Sequence, residues 1–383
     1  MVERFFIDED NGMGSSQSIN MFAPFVTPEA TQRVAQVLAT PWIGQGNLVD
    51  DFEDAVKDVL CLPYAVAVNN SASAIRMALS VAGVGPGDEV ITTPLTCTLT
   101  NHPILEQFAK PVFADVQKTT GNIDPTDVVK RLTSKTKAII CTHWGGLPSD
   151  LLELNQIARQ NGIAVIEDAS EAFGAIYQNR IIGNHSRFVA FSFHAIQSVT
   201  TGEGGMLALQ SADDTGLAKM QRWYGIDRIG RHPNNLGYYD FDVKNVGFGY
   251  YMTNINAAIG IENLKSLSHQ QSHREEIAGA YRKGLAEVPG LTLLKDPNDR
   301  TSSHHFFTVL VDNRDDFCRK LRDCGVNASI VHYRNDEYTV FGGLRDDLPN
   351  LDYFSQRYIG LPVHMGISVA DVNHVIDVIK SGW

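Results

Sequence analysis

Short, continuously apolar runs recur along the first two thirds of the chain: YAVAV (64–68), EVITT (89–93), PVFADV (111–116), KAIICTH (137–143), IAVIED (163–168), FVAFSF (188–193) and GMLALQ (205–210). Because these runs do not alternate apolar with polar residues, they predict strands covered on both faces. Stretches of helical periodicity separate them, among them SASAIRMALSVAG and SDLLELNQIARQNG. Strands alternating with helices predict an α/β fold in which a mostly parallel seven-stranded sheet is sandwiched by helices.

After about residue 255 the pattern changes. NINAAIGIENLKSLSHQQSHREEIAGAYRKGLAEV (254–288) reads as one long helix, interrupted by nothing stronger than serine. HHFFTVLVD (304–312), a helix-like RDDFCRKLRDCG and the closing SVADVNHVIDVIKSGW follow it. The expected organisation is a large α/β domain over 1–255, then a linking helix and a small α+β domain over 256–383.

Composition narrows the partners. The 383 residues are 43% hydrophobic, as in ordinary globular proteins, and 32 basic against 44 acidic residues give a net charge of −12. That balance argues against nucleic-acid binding, and it means that an anionic ligand has to be held by local donors. The five cysteines (Cys61, Cys97, Cys141, Cys318 and Cys324) are odd in number and scattered through apolar text, without a CxxC or a His-rich cluster. They read as buried free thiols of a reducing cytoplasm, and no metal is expected. The N-terminal MVERFFIDEDNGMG lacks the apolar core of a signal peptide, and no run approaches transmembrane length. A cytoplasmic enzyme with no membrane partner is the expectation.

In open α/β sheets ligands bind beyond the carboxyl ends of the strands, and those ends are polar here. NNSASA (69–74) opens a helix with small residues, where free amides and Ser71 or Ser73 can cradle a phosphate. His143 with WGG, Asp168, and Ser192 with His194 end three further runs. Each has an ordinary explanation taken singly, as a cap or a satisfied loop histidine. Four polar strand ends on one rim favour a site. Nucleotide-binding glycine motifs are excluded, since GVGPGD (83–88) precedes a strand and no GxxxxGK[ST] exists.

In order, TPWIGQGNLVDDFEDAV (40–56), NNSASAIRMALS, GDEVITTPLT, PVFADV, THWGGLPSDL, IEDASEAFGAIY, FSFHAIQSVTTGEGG, GYYMTNINAAIG and VHYRNDEYTVF (331–341) resemble the DegT/DnrJ/EryC1/StrS aminotransferases. These are fold-type I, pyridoxal 5'-phosphate-dependent enzymes that aminate nucleotide-linked keto-sugars, and the resemblance runs from about residue 20 nearly to the end. It implies that Asp168 pairs with the cofactor's pyridine nitrogen, that Ala72 and Ser73 bind its phosphate, and that Ser192 adds a hydroxyl. Glu171 stands where the family has Gln or His beside the 3'-oxygen, and Thr98 where many members stack an aromatic ring. Gly249 replaces an asparagine that reaches the neighbouring subunit's phosphate, and Tyr251 replaces an arginine. His143, Trp144, His332 and Arg334 are candidates for contacts to sugar or nucleotide phosphates, a surface-loop role being equally open.

The largest departure is Gln197, flanked by His194, at the place of the Schiff-base lysine. A carboxamide forms no imine and is no base near neutral pH, and no lysine occurs between Lys137 and Lys219. The chain as written is expected to be catalytically impaired. One explanation is a lysine-to-glutamine change that traps pyridoxamine phosphate or an external aldimine with an amino sugar, favoured because the loop keeps its TTGEGG text. The other is a natural lysine-less homologue, either dehydratase-like or a non-catalytic binding protein. The family implies amination of a nucleotide-linked 4-keto-6-deoxyhexose with glutamate as donor, for surface polysaccharide or lipopolysaccharide synthesis, by a homodimer whose site a second subunit completes.

Overall fold

The computed structural model describes residues 18–228 and 230–383; the acidic N-terminal stretch discussed above lies outside them. All seven apolar runs form strands of one sheet: β1 (Tyr64–Val68), β2 (Glu89–Thr92), β3 (Lys110–Phe113), β4 (Thr136–Thr142), β5 (Ala164–Asp168), β6 (Phe188–Ser192) and β7 (Gly205–Leu209). Their order is β1-β7-β6-β5-β4-β2-β3, with β7 antiparallel to both neighbours and the other pairs parallel. Successive residues point to opposite faces, so Ile139, Val165 and Val189 pack on one side while Ile140, Ile166 and Phe188 pack on the other. Both faces are covered by helices, which is why the strands carry no polar alternation.

The helices are α1 (Pro28–Leu38), α2 (Asn47–Leu60), α3 (Ser71–Val81), α4 (Thr98–Glu106), α5 (Pro125–Arg131), α6 (Leu151–Asn161), α7 (Ala212–Arg222), α8 (Asn254–Leu264) and α9 (Leu267–Leu285). A buried ion pair fastens three of the elements around β1: Glu53 Oε1 of α2 lies 2.5 Å from Arg222 of α7 and accepts from the Ala67 N–H at 2.8 Å. The expected single helix over 254–288 is two helices, α8 and α9. The Ser266 N–H and hydroxyl both donate to the Asn263 carbonyl, at 3.0 and 2.6 Å, and this side-chain competition for a helical carbonyl marks the break.

The C-terminal part forms an antiparallel sheet of β8 (Leu291–Leu293), β9 (Phe307–Val311) and β10 (Tyr358–Leu361), in that order, with α10 (Arg314–Asp323), α11 (Pro349–Ser355) and α12 (Val369–Lys380). Its core takes in Ile19, which bridges to Val326, so a residue far upstream of the first strand packs in the second core. All five cysteines are unpaired, but Cys141 alone among them is buried; Cys61 is exposed and the other three are half-buried. No helix among the described residues is long and apolar enough to cross a membrane.

Candidate active site

Because β1, β2, β4, β5 and β6 run the same way, their carboxyl ends share one rim, and there Val68 and Ser192 both pair with Gly205 of the intervening strand. That register brings Gly205 against the start of α3 and pairs it with Ser192 on its other side. A Cβ on Gly205 would fall 2.4 Å from the Asn70 carbonyl carbon and 2.7 Å from the Ser71 nitrogen, so only glycine lets the turn approach. Asn70 caps α3 by accepting from the Ser73 N–H at 2.8 Å. The Ala72 amide and the Ser73 hydroxyl therefore lie in the helix's first turn, where donors and dipole favour an anion.

Asp168 ends β5 and is buried. Its Oδ1 accepts from the Ser170 N–H (3.1 Å) and hydroxyl (2.6 Å), a turn that stops the strand, and its Oδ2 accepts from Thr100 at 2.5 Å. Behind Thr100 stands a file of hydroxyls: Thr100 to Thr96 at 2.7 Å and Thr142 to Thr96 at 3.0 Å. The carboxylate is thus held in one orientation by groups from β4, α4 and its own turn.

Ser192 accepts from the His194 N–H at 3.3 Å, and His194 pairs with Glu203 at 3.4 Å. Gln197, half-buried, donates its N–H to the His194 carbonyl at 3.0 Å, closing the turn. The polar residues that follow are tied to the scaffold. The Thr201 and Thr200 carbonyls accept from Asn256 (3.0 Å) and Asn263 (2.9 Å) of α8, and the Gly202 N–H donates to Thr200 at 2.9 Å. A Cβ on Gly204 would sit 2.2 Å from Thr201 Oγ1.

Glu171 is buried with both oxygens engaged, Oε2 by the Gly145 N–H (2.7 Å) and Oε1 by His332 Nε2 (2.9 Å). His332 arrives from the C-terminal part on a segment pinned by Asn335. The Asn335 N–H donates to the Pro94 carbonyl (2.8 Å), and its amide meets Asn101 (2.9 Å) and the Thr96 carbonyl (2.8 Å). Beside the His332 ring lies the thiol of Cys97, the N-cap of α4. Burial pulls the imidazole down, but Cys97 and Glu171 outweigh it and push its pKa up to about 10.

Of the remaining sequence candidates, Trp144 meets the His332 ring edge-on, with centroids 6.2 Å apart. His143 is fully buried, with Nε2 3.0 Å from Glu167 and Nδ1 accepting from the Ser149 N–H at 3.0 Å, so both ring nitrogens face the core. Trp144 is buried among Phe306, Phe354 and Tyr358, its indole N–H donating to Thr308 at 3.1 Å. Arg334 is forked onto Asp336 at 2.7 Å and also pairs with Asp352. Thr98 is half-buried, and the residue that meets His332 is its neighbour Cys97. Tyr251 stacks on Trp223 (centroids 4.0 Å, 9°), and Gly249 bridges to that same Trp223, while the Tyr250 carbonyl accepts from the Asn69 N–H at 2.9 Å near the start of α3. Sequence reasoning missed Cys97, Thr100, Ser170 and Asn335; a threonine two residues from the Cys97–Thr98 pair and a serine two after Asp168 were the signals available.

The geometry has close relatives. The model of the DegT/DnrJ/EryC1/StrS aminotransferase family matches residues 25–380. The spore coat polysaccharide biosynthesis protein SpsC of Bacillus subtilis is 33% identical over 381 residues, covering 95% of this chain and 98% of its own. Among solved structures, AtS13 from Actinomadura melliaura superposes with a TM-score of 0.91 at 38% identity, covering 97% of this chain and all of its own (100%). The sugar aminotransferase CalS13 from Micromonospora echinospora also gives 0.91, at 32% identity, covering 95% and 100%. With a family match over nearly its whole length, a relative above 30% identity and the same sheet, this chain belongs to the DegT/DnrJ/EryC1/StrS aminotransferase family.

Proposed function

We propose that the chain is built as a pyridoxal phosphate-dependent sugar aminotransferase for a nucleotide-linked 4-keto-6-deoxy sugar, with glutamate as donor, in a form that cannot turn over because position 197 is glutamine. The spore-coat relative supports a role in surface polysaccharide synthesis. The donor set suits the cofactor. Asp168 offers a fixed carboxylate to a protonated ring nitrogen, and the Ala72 amide, the Ser73 hydroxyl and Ser192 suit a dianion. When bound, the cofactor supplies the electron sink for amino-group transfer. Asp168 would orient the ring and hold its proton, the start of α3 would hold the phosphate, and Glu171 and His332 would line the side reached from the C-terminal part. A homodimer working in the cytoplasm is the matching assembly.

The observation that carries this reading is a preserved frame around an absent amine. Gln197 closes a turn fixed by His194 and α8, so a lysine there would emerge from the same backbone. The test is the Gln197→Lys protein with added cofactor. The expected outcome is a visible absorption band and glutamate-dependent amination of a nucleotide-linked 4-keto-6-deoxyhexose, both missing from the glutamine form. If the lysine form shows neither, the aminotransferase reading fails. A second reading, a lysine-less protein that binds cofactor or nucleotide-sugar without turnover, is favoured by the same intact cradle; it is supported if the glutamine form retains the cofactor through dialysis while the lysine form aminates nothing.

A further inference from the structure

Outside the cofactor-holding groups, the end of α7, the residues after it and the start of α2 enclose a cavity of about 570 Å³ with basic walls, in a chain whose net charge is −12. Lys219, Arg222, Arg228 and Arg231 line it, against the carboxylates of Asp50 and Asp227. A third carboxylate, Glu53, is already committed: Arg222 lies 2.5 Å and Lys219 3.9 Å from it, and it accepts from the Ala67 N–H. Arg222 is 5% exposed, and its Nε–H meets no acceptor among the described residues. Arg228 and Arg231 make no ion pair there either. Each lies over an aromatic ring, Arg228 at 4.4 Å from the centre of Trp223 and Arg231 at 4.3 Å from that of Tyr239. Trp223 is fixed in turn, its indole N–H donating to Gln45 at 2.5 Å and its ring stacked on Tyr251. Burial and the charges of Arg231 and Arg222 hold the Arg228 guanidinium below its ordinary pKa against the opposing Asp50, so like charges crowd one space. The 14-residue α2 opens on the same cavity at Gly46 and Asn47 without a side-chain cap, and its dipole adds to the arginines.

We propose that this cavity binds a diphosphate group, held by Arg228 and Arg231, by the Nε–H of buried Arg222 and by the first amides of α2. The ligand class follows from the donors. Guanidinium forks and free helix amides match the oxygens of a phosphate, and two guanidiniums without an ion-pair partner suit a ligand that carries at least two negative charges. The volume leaves room for a nucleoside beyond the diphosphate. None of the lining residues is a candidate for holding the cofactor or the sugar, so the site stands independently of the aminotransferase reading.

The experiment is calorimetric titration of the native chain with inorganic diphosphate, with a nucleoside diphosphate and with the matching nucleoside. Both diphosphates are expected to bind and the nucleoside is not. Arg228→Gln combined with Arg231→Gln should weaken the binding about tenfold or more. Asp50→Asn removes a lining carboxylate and leaves every donor in place, so it should tighten the binding. A nucleoside diphosphate that binds more tightly than inorganic diphosphate identifies a nucleotide as the ligand, and equal affinities identify the free diphosphate. Binding that survives the double arginine change unaltered overturns the proposal and belongs to the α3 cradle. No binding up to about 5 mM overturns it as well. If the double variant fails to fold, Asp50→Asn decides, an unchanged or weakened affinity counting against the site.

Discussion

Glu171 is the residue whose identity changes most when its neighbours are taken into account. A carboxylate beside the place of a cofactor oxygen would be repelled by it, yet here the charge is balanced by His332 and the second oxygen by Gly145. The imidazole is held at about 10, above the ordinary histidine value near 6.5. The stabilisation this gives the folded state is therefore complete below about pH 6.5 and disappears as pH rises through about 10. Urea unfolding of the native chain and of His332→Gln should differ most near pH 6 and converge near pH 10; a difference that stays constant or grows with pH would refute the charged pair. Gln197 is read differently too. The TTGEGG text reads as a catalytic loop spared around one altered residue, but its side chains also bond within the loop: the Thr200 hydroxyl accepts from the Gly202 N–H, the Thr201 hydroxyl donates to the Glu203 carbonyl, and a Cβ on Gly204 would meet Thr201 Oγ1. The loop text therefore has a folding reason beside the catalytic one.

At the scale of elements, the central sheet was legible because each strand is buried on both faces and so is written as an unbroken apolar run. The helix over 254–288 was misread as continuous because the break at Ser266 comes from a hydrogen bond to the Asn263 carbonyl, and no glycine or proline marks it. Site residues were legible where they end strands, as with Asp168 and Ser192, and illegible where the chain returns from afar. His332 meets Glu171 across 161 positions and Asn335 meets Asn101 across 234, spacings that no local pattern encodes. The part played by Cys97 was hidden for the same reason, since only the docked His332 segment brings a partner to it. A sensitive joint is Gly205, which pairs with Val68 and Ser192 on its two sides while the turn into α3 packs against it. Gly205→Val should cost about 1–3 kcal/mol through overpacking against backbone and should weaken phosphate binding measured by cofactor titration. A valine variant with native stability and unchanged titration would show that the turn does not need this contact.

For the whole molecule, what stands out is where large apolar side chains meet solvent. Leu236 is 91% exposed, Val246 81%, Tyr238 67% and Trp42 60%, although most strands of the central sheet are buried. Tyr224, Tyr239, Phe241 and Val243 extend the series, so the segment between α7 and α8 presents apolar residues that the other described residues leave exposed. Monomers rarely leave such surface bare. The segment also leads directly into Gly249, which stands where the family has an asparagine that reaches the neighbouring subunit, and the Tyr250 carbonyl next to it accepts from the Asn69 N–H at 2.9 Å beside the cradle. A partner that covers Leu236 and Val246 would thereby fix the backbone bordering the site. Light scattering behind size exclusion should then give twice the mass of the 42.2 kDa chain, and Leu236→Asp combined with Val246→Asp should shift it to the monomer and weaken cofactor retention together. A native chain that runs as a monomer at every concentration would separate the exposed segment from assembly, and the missing cover would have to be sought in a different kind of partner.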